Sequence, residues 1–176
     1  MPNTRIFVLI FLSTFCIFVF VESAVCEMLT LYQVQMLPDD AFAVIETTGE
    51  GQRIRHCPHH DHEGNLDPNL LIYSLGTFRE ETFLQPEYAD TARKHLMKHY
   101  DRFISKIRET ELDDSLNINR APLDELIRLP YVGPVLAVNI DRYRKSHSFE
   151  SIKDILHVEG IGQAIYNAVR HYIRVD

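Results

Sequence analysis

Leu129-Pro130-Tyr131-Val132-Gly133-Pro134 and, 29 residues further on, Val158-Glu159-Gly160-Ile161-Gly162-Gln163 decide the fold of this chain. Sliding the last third on itself by that interval lays Leu123, Leu126, Leu129, Val132, Gly133, Leu136, Ile140 and Tyr143 on Ile152, Ile155, Val158, Ile161, Gly162, Ile165, Val169 and Tyr172. Apolar positions recur at helical spacing on both sides of a glycine-containing turn, so the pattern predicts helix, tight turn, helix, made twice. Neither unit buries its apolar face alone, and the two should share one core. The turns also carry chemistry. Glycine permits positive φ and lets a ligand approach the main chain. The helix after the turn begins with N–H groups that have no intrahelical partner and with its positive dipole end. Such a turn suits an anion without any basic side chain. Two of them side by side suit successive phosphates of a duplex, whatever its sequence.

Asn117, Ile118, Asn119, Ala121, the run from Leu126 to Gly133, Ala137, Ile140, Tyr143, Arg144, Phe149, Gly160, Ile161 and Gly162 carry a resemblance. Residues 115–176 resemble the helix-hairpin-helix domain of the ComEA competence protein family. The resemblance implies a domain that follows a signal or membrane segment and binds incoming double-stranded DNA by its backbone. It also implies phosphate contacts from hairpin glycines and first helical amides, here Gly133, Val135, Gly160, Gly162, Gln163 and Ala164. Three departures stand out. Tyr131 occupies the place of the first hairpin glycine, Pro134 donates no amide, and no lysine follows the second turn. The first hairpin is therefore expected to be the poorer phosphate site.

A net charge of −7 over 176 residues is unusual for a nucleic-acid binder, but it is unevenly distributed. Residues 27–114 hold 9 Lys and Arg against 17 Asp and Glu, a balance of −8, whereas residues 115–176 hold 8 against 7, a balance of +1. A domain at +1 generates no long-range steering field. Side chains of Arg142, Arg144, Lys145, Lys153, Arg170 and Arg174 are either its phosphate partners or a solvated face.

Working back to the N-terminus, Arg5 precedes an almost unbroken apolar run over residues 6–21, followed by the small residues Ser23 and Ala24. The run is short for a membrane span, which takes ~20 apolar residues. Residues 1–26 therefore read as a signal peptide, with an uncleaved membrane anchor as the alternative. The chain is expected to be exported, periplasmic or secreted. Of the three cysteines, Cys16 leaves with a signal, and a Cys26–Cys57 pair alone makes no disulfide framework.

Between the two lies an acidic module over residues 27–114. Residues 29–35 alternate weakly and residues 41–48 are rich in β-branched side chains, so both read as strands. Gly49 and Gly51 lead into residues 53–56, predicting a hairpin. Asp67 before Pro68 is an N-cap with proline at the first helical position, and Gly76 closes the short helix. Ala89, Ala92, Leu96, Tyr100, Phe103 and Ile107 line one face of a long amphipathic helix over residues 86–112. Residues 109–115 are polar and acidic and read as a linker. The whole is α+β: a small N-terminal α+β module with a long amphipathic helix, followed by an all-α tandem helix-hairpin-helix domain.

The module contributes a second constellation. His56, Cys57, His59, His60, Asp61 and His62 fall within seven residues, and His95 and His99 stand one helical turn apart. His56, Cys57, His59, His95 and His99 are candidate ligands for zinc or a similar ion, since imidazole and thiolate are its usual donors. The alternatives are a hydrogen-bonded histidine cluster on a basic helix edge and a general acid or base. The oxygen-rich stretch Asp61, Glu63, Gly64, Asn65 and Asp67 has Leu70 where a calcium loop needs its bidentate carboxylate. No phosphate-binding loop ending in Lys and Ser or Thr, serine elbow or paired CxxC is present. These features favour a non-enzymatic, exported DNA-binding protein, with DNA uptake as one setting and a protein partner for the acidic module. Two rivals stand beside it: a structural or interaction module that uses the hairpin fold without DNA, and a metal-dependent nuclease that uses the histidines.

Overall fold

The computed structural model describes residues 31–107 and 115–176. Residues 1–30 fall outside the described residues and hold the expected signal or anchor segment and the start of the expected strand, as do residues 108–114, which hold the expected helix end and most of the expected linker. The described residues open with a short helix, α1 (Leu31–Gln35), and a turn of 3-10 helix, Asp39–Ala41. Strands β1 (Phe42–Thr47) and β2 (Arg53–Pro58) follow as an antiparallel hairpin that pairs Val44 with His56 and Glu46 with Ile54. Gly51, at φ +82°, closes the turn by donating its amide to the Thr48 carbonyl.

Segment 31–35 corrects the sequence expectation of a strand. Among the described residues the β1–β2 sheet has two strands, and residues 31–35 add to neither edge but form a helix. Arg55 instead donates to the carbonyls of Gln35 at 2.6 Å and Leu37 at 2.7 Å, holding the helix end down with a cation.

Helix α2 (Pro68–Gly76) starts where Asp67 and Pro68 place it. The Asp67 carboxylate accepts from the amides of Asn69 and Leu70, the expected N-cap. Its sequence is apolar on every side, which marks a helix enclosed by others. Three consecutive residues show this: Leu70 packs with Leu37, Ala41 and Phe42, Leu71 with Val44, Cys57, Ala92 and Leu96, and Ile72 with the core of the C-terminal repeats. Steps of ~100° per residue send these side chains to three separate clusters.

Helix α3 (Pro86–Ile107) lays Ala92 and Leu96, both fully buried, over the sheet. Its second half leans elsewhere, with Phe103, Ile104 and Ile107 against the core of the repeats. The long helix therefore covers more than the sheet alone.

The C-terminal repeats form as the 29-residue pattern demands. The first is α4 (Leu123–Leu126), a turn, and α5 (Pro134–Ser146). The second is a 3-10 helix, Ile152–His157, a turn, and α6 (Gln163–Val169). Burial repeats with the sequence: Leu126 and Ile155 are both 0% exposed, as are Ile140 and Val169. A parallel pair of two-residue strands, β3 (Leu116–Asn117) and β4 (Ile173–Arg174), clasps the ends of this unit together.

Candidate nucleic-acid interface and histidine cluster

The two hairpin turns are near copies at the level of dihedral angles. Gly133 caps α5 with φ −100° and ψ −176°, and Gly162 caps α6 with φ −101° and ψ −179°. Each turn closes with one bond, Val132 to the Leu129 carbonyl and Ile161 to the Val158 carbonyl, both at 3.1 Å. The first helical bonds also match: Ala137 donates to Gly133 and Tyr166 to Gly162, both at 3.0 Å. The amides before them, at Val135 and Leu136 and at Gln163, Ala164 and Ile165, have no intrahelical acceptor.

The structure separates two roles that the sequence assigned to glycine as one. Positive φ falls on Gly160 at +87° and, in the first repeat, on Tyr131 at +64°. Gly133 and Gly162 are extended, a conformation open to any residue, and a Cβ added at either would meet nothing within 4 Å. Their lack of a side chain keeps space open in front of the helix amides. Tyr131 holds the turn in its glycine-like trace despite its Cβ, and its ring is 80% exposed. A left-handed L-residue costs about 1–2 kcal/mol, and glycine gives back about 0.4–1 kcal/mol through the unfolded chain. Tyr131→Gly should therefore stabilise the protein by roughly 0.5 kcal/mol, a small rise in the urea midpoint at unchanged slope. A fall in midpoint would mean that the exposed ring contributes packing the geometry does not show.

Four of the eight basic side chains of this unit are held in ion pairs within the protein. Arg144 is internal: it pairs with Asp141 at 2.7 Å and donates to the carbonyls of Ile118 and Ala121. Lys145 pairs with Asp141, Arg142 with Glu80 and Arg174 with Asp176. Lys153 stands exposed, and Arg170 donates to the neighbouring His171 ring.

Residues 113–174 match the family of the helix-hairpin-helix motif. The C-terminal third is thus a helix-hairpin-helix domain, a motif associated with nucleic-acid binding. The chain is also similar, at 33% identity over 63 residues, to "Endonuclease/exonuclease/phosphatase family domain-containing protein 1" of Rattus norvegicus. That similarity covers 35% of this chain and 11% of the relative, so it reaches about a tenth of the relative's length. No solved structure matches the chain. Among the described residues no helix is long and apolar enough to cross a membrane.

Of the five candidate metal ligands, the fold brings three together. One ligand nitrogen from each of His59, His95 and His99 lies within 4.8 Å of the others. His59 is buried at the end of the β-hairpin, while His95 and His99 lie on one face of α3, as their spacing requires. The His59 Nε2 stands 2.9 Å from His95 Nε2, and the His60 ring packs 4.1 Å from the His59 ring. Burial pushes the His59 imidazole down to about 4, against an opposing hydrogen bond from its Nδ1 to the Cys57 carbonyl. His95 and His99 are also held below their ordinary value, by burial first and then by neighbouring positive charge.

His56 and Cys57 lie apart from this cluster. The His56 ring sits between two carboxylates, with Nε2 2.8 Å from Glu46 in a bent contact and Nδ1 3.1 Å from Glu81. Cys57 is enclosed in the sheet core, and burial pushes its thiol up to about 12, so it offers no thiolate. Asp61 spends its carboxylate on its own loop, accepting from the amides of Glu63 at 2.8 Å and Asn65 at 2.9 Å.

Proposed function

We propose that the helix-hairpin-helix domain binds the backbone of double-stranded DNA without sequence preference, through main-chain groups at Gly133, Val135, Gly160, Gly162, Gln163 and Ala164. The observation that carries this reading is the duplicated glycine cap, with the same dihedral angles in both turns and open space where a Cβ would stand. Phosphate oxygens meet unpaired amides there. Hairpin two contributes more. Pro134 removes an amide from hairpin one, and the Tyr131 ring projects beside it. The apolar run over residues 6–21 supports an exported setting, periplasmic or secreted, with uptake of external DNA as one use. The acidic charge of residues 27–114 suits that module to a protein partner better than to DNA.

One observation favours a second reading, in which the hairpins serve packing. Helix α2 docks on α5, and Arg142 at the surface is paired with Glu80. One face of the first repeat is thereby occupied from within.

Because α2 contributes Ile72 to the repeat core, the test uses the full chain. Duplexes of unrelated sequence should bind with similar affinity. With about two phosphates neutralised by side chains, log K against log salt should have a slope of about −2 or shallower. Gly162→Val fits the extended backbone, keeps the fold by circular dichroism and weakens binding about tenfold by filling the space over the amides. Gly133→Val has a smaller effect. Absence of duplex binding at low salt would sink the DNA reading and leave the packing reading.

A further inference from the structure

The histidine cluster is independent of the proposed DNA interface, and its hydrogen bonding has the form of a ligand set. A carbonyl oxygen only accepts, so the contact of 3.2 Å between His59 Nδ1 and the Cys57 carbonyl fixes the proton on Nδ1. In the neutral ring, Nε2 is then a bare lone pair, held inside the protein and aimed at His95. Metal-binding histidines are oriented in this way, with the far nitrogen donating to a carbonyl or carboxylate. The carbonyl itself is placed by strain: Cys57 takes φ +57° at the end of β2, a left-handed conformation unusual for a buried non-glycine residue. Such outliers persist where the surroundings over-determine them, often at functional sites.

Distances agree with this reading. Three nitrogens bound to one zinc at ~2.0–2.1 Å stand ~3.3–3.5 Å apart in tetrahedral geometry. The spacings here, from 2.9 Å up to 4.8 Å, bracket that value. His95 and His99 are partly solvent-facing and reach it by small rotations. His59, fully buried, need not move.

We propose that His59, His95 and His99 bind one divalent transition ion of the zinc class, with solvent in the fourth position. His59 binds through Nε2. His95 Nε2 now donates its proton to that lone pair; on binding, His95 gives up this proton to solvent and takes one at Nδ1, so both rings stay neutral and each offers one lone pair. His60 donates its Nδ1 proton to the Asp40 carbonyl at 3.2 Å and packs its ring against His59 as a wall of the site. The ion ties the end of β2 to the middle of α3, two elements otherwise joined here through apolar contacts. Three imidazoles and no carboxylate select zinc, cobalt or copper over magnesium or calcium.

The test titrates chelator-treated full chain with Co(II) and Zn(II). One Co(II) per chain should bind and give the intense visible absorption of a four-coordinate site, and Zn(II) should displace it. Zinc should also raise Tm progressively with concentration. His95→Ala and His99→Ala, both on the outer side of the cluster, should each weaken binding more than ~100-fold, beyond the 10–100-fold that outer partners carry. His60→Ala should weaken it less than ~10-fold. Circular dichroism confirms the fold of each variant, and if one alanine variant fails to fold, the other decides. Binding of less than half an equivalent by the full chain, or binding that survives in a folded His95→Ala or His99→Ala variant, would overturn the site.

Discussion

Glu46→Ala should destabilise the protein by about 3 kcal/mol, the lower range for stripping one partner from a buried ionic contact. Glu46 is 2% exposed, yet nearly all its acceptor capacity is used. Its carboxylate receives the amides of Leu84, at 3.0 and 3.1 Å, and Gln85, at 3.2 Å, directly before α3, and it faces His56 at 2.8 Å. Alanine leaves those amides without an acceptor and leaves His56 with Glu81 alone.

Burial by itself would raise the carboxyl, but the two amides and His56 outweigh it and hold Glu46 below its ordinary 4.5. A depressed folded value means that the unfolded chain takes up the proton first as pH falls. The stability from this group is therefore complete above the unfolded value near 4.5 and is lost as pH drops through the folded one. Urea unfolding at pH 7 should show the full difference between wild type and Glu46→Ala, and unfolding in the acid range should show that difference shrinking. Glu46→Gln keeps an acceptor for one amide and loses the titration, so it should cost less and show no such convergence. A difference that stays constant down to the acid range would contradict the linkage.

How much of this was legible in the residues depends on the range of the interaction that decides each feature. The 29-residue repeat, the Asp67 cap and the Gly49 to Gly51 turn are written locally, and each formed where its residues stand. The β3–β4 clasp is not local: Leu116 and Ile173 meet across the whole domain, and neither two-residue strand has a pattern of its own. The same limit applies to the candidate metal ligands. The density of His56, Cys57 and His59 marked the region, but the left-handed turn at Cys57 separates His56, which faces Glu46, from His59, which faces α3. Nothing in the spacing predicts that turn. Tyr131 shows the converse. The sequence marked it as a departure from glycine, and the structure shows the same backbone trace held at a cost in strain. Sequence carries no burial for a charged residue, so it offers Arg144 only as a phosphate partner or part of a solvated face, whereas its guanidinium spans the Asp141 carboxylate and the carbonyls of Ile118 and Ala121.

Gly76→Ala tests the junction between the acidic module and the repeats, and its expected sign is opposite to the usual one. Within a helix, glycine to alanine ordinarily gains about 0.5–1 kcal/mol. Here an added Cβ would lie 2.5 Å from Val138 Cγ2 and 2.7 Å from the Pro134 carbonyl oxygen. Val138 is 1% exposed and has nowhere to turn, and Pro134 is the first residue of α5. Overpacking of a tight contact costs about 1–3 kcal/mol, so a net loss of about 2 kcal/mol should appear in urea unfolding of the full chain. Val138→Ala in the same chain removes one of the two obstacles, so the double variant should lose less than the sum of the singles by about 1 kcal/mol. The backbone oxygen remains, and recovery should be incomplete. Since the strain falls on the start of α5, the Gly76→Ala protein should bind duplex DNA nearly as wild type does if the second hairpin carries the contact. Stabilisation by Gly76→Ala would show that α2 and α5 do not approach this closely, and the shared core at Ile72 would then have to be abandoned.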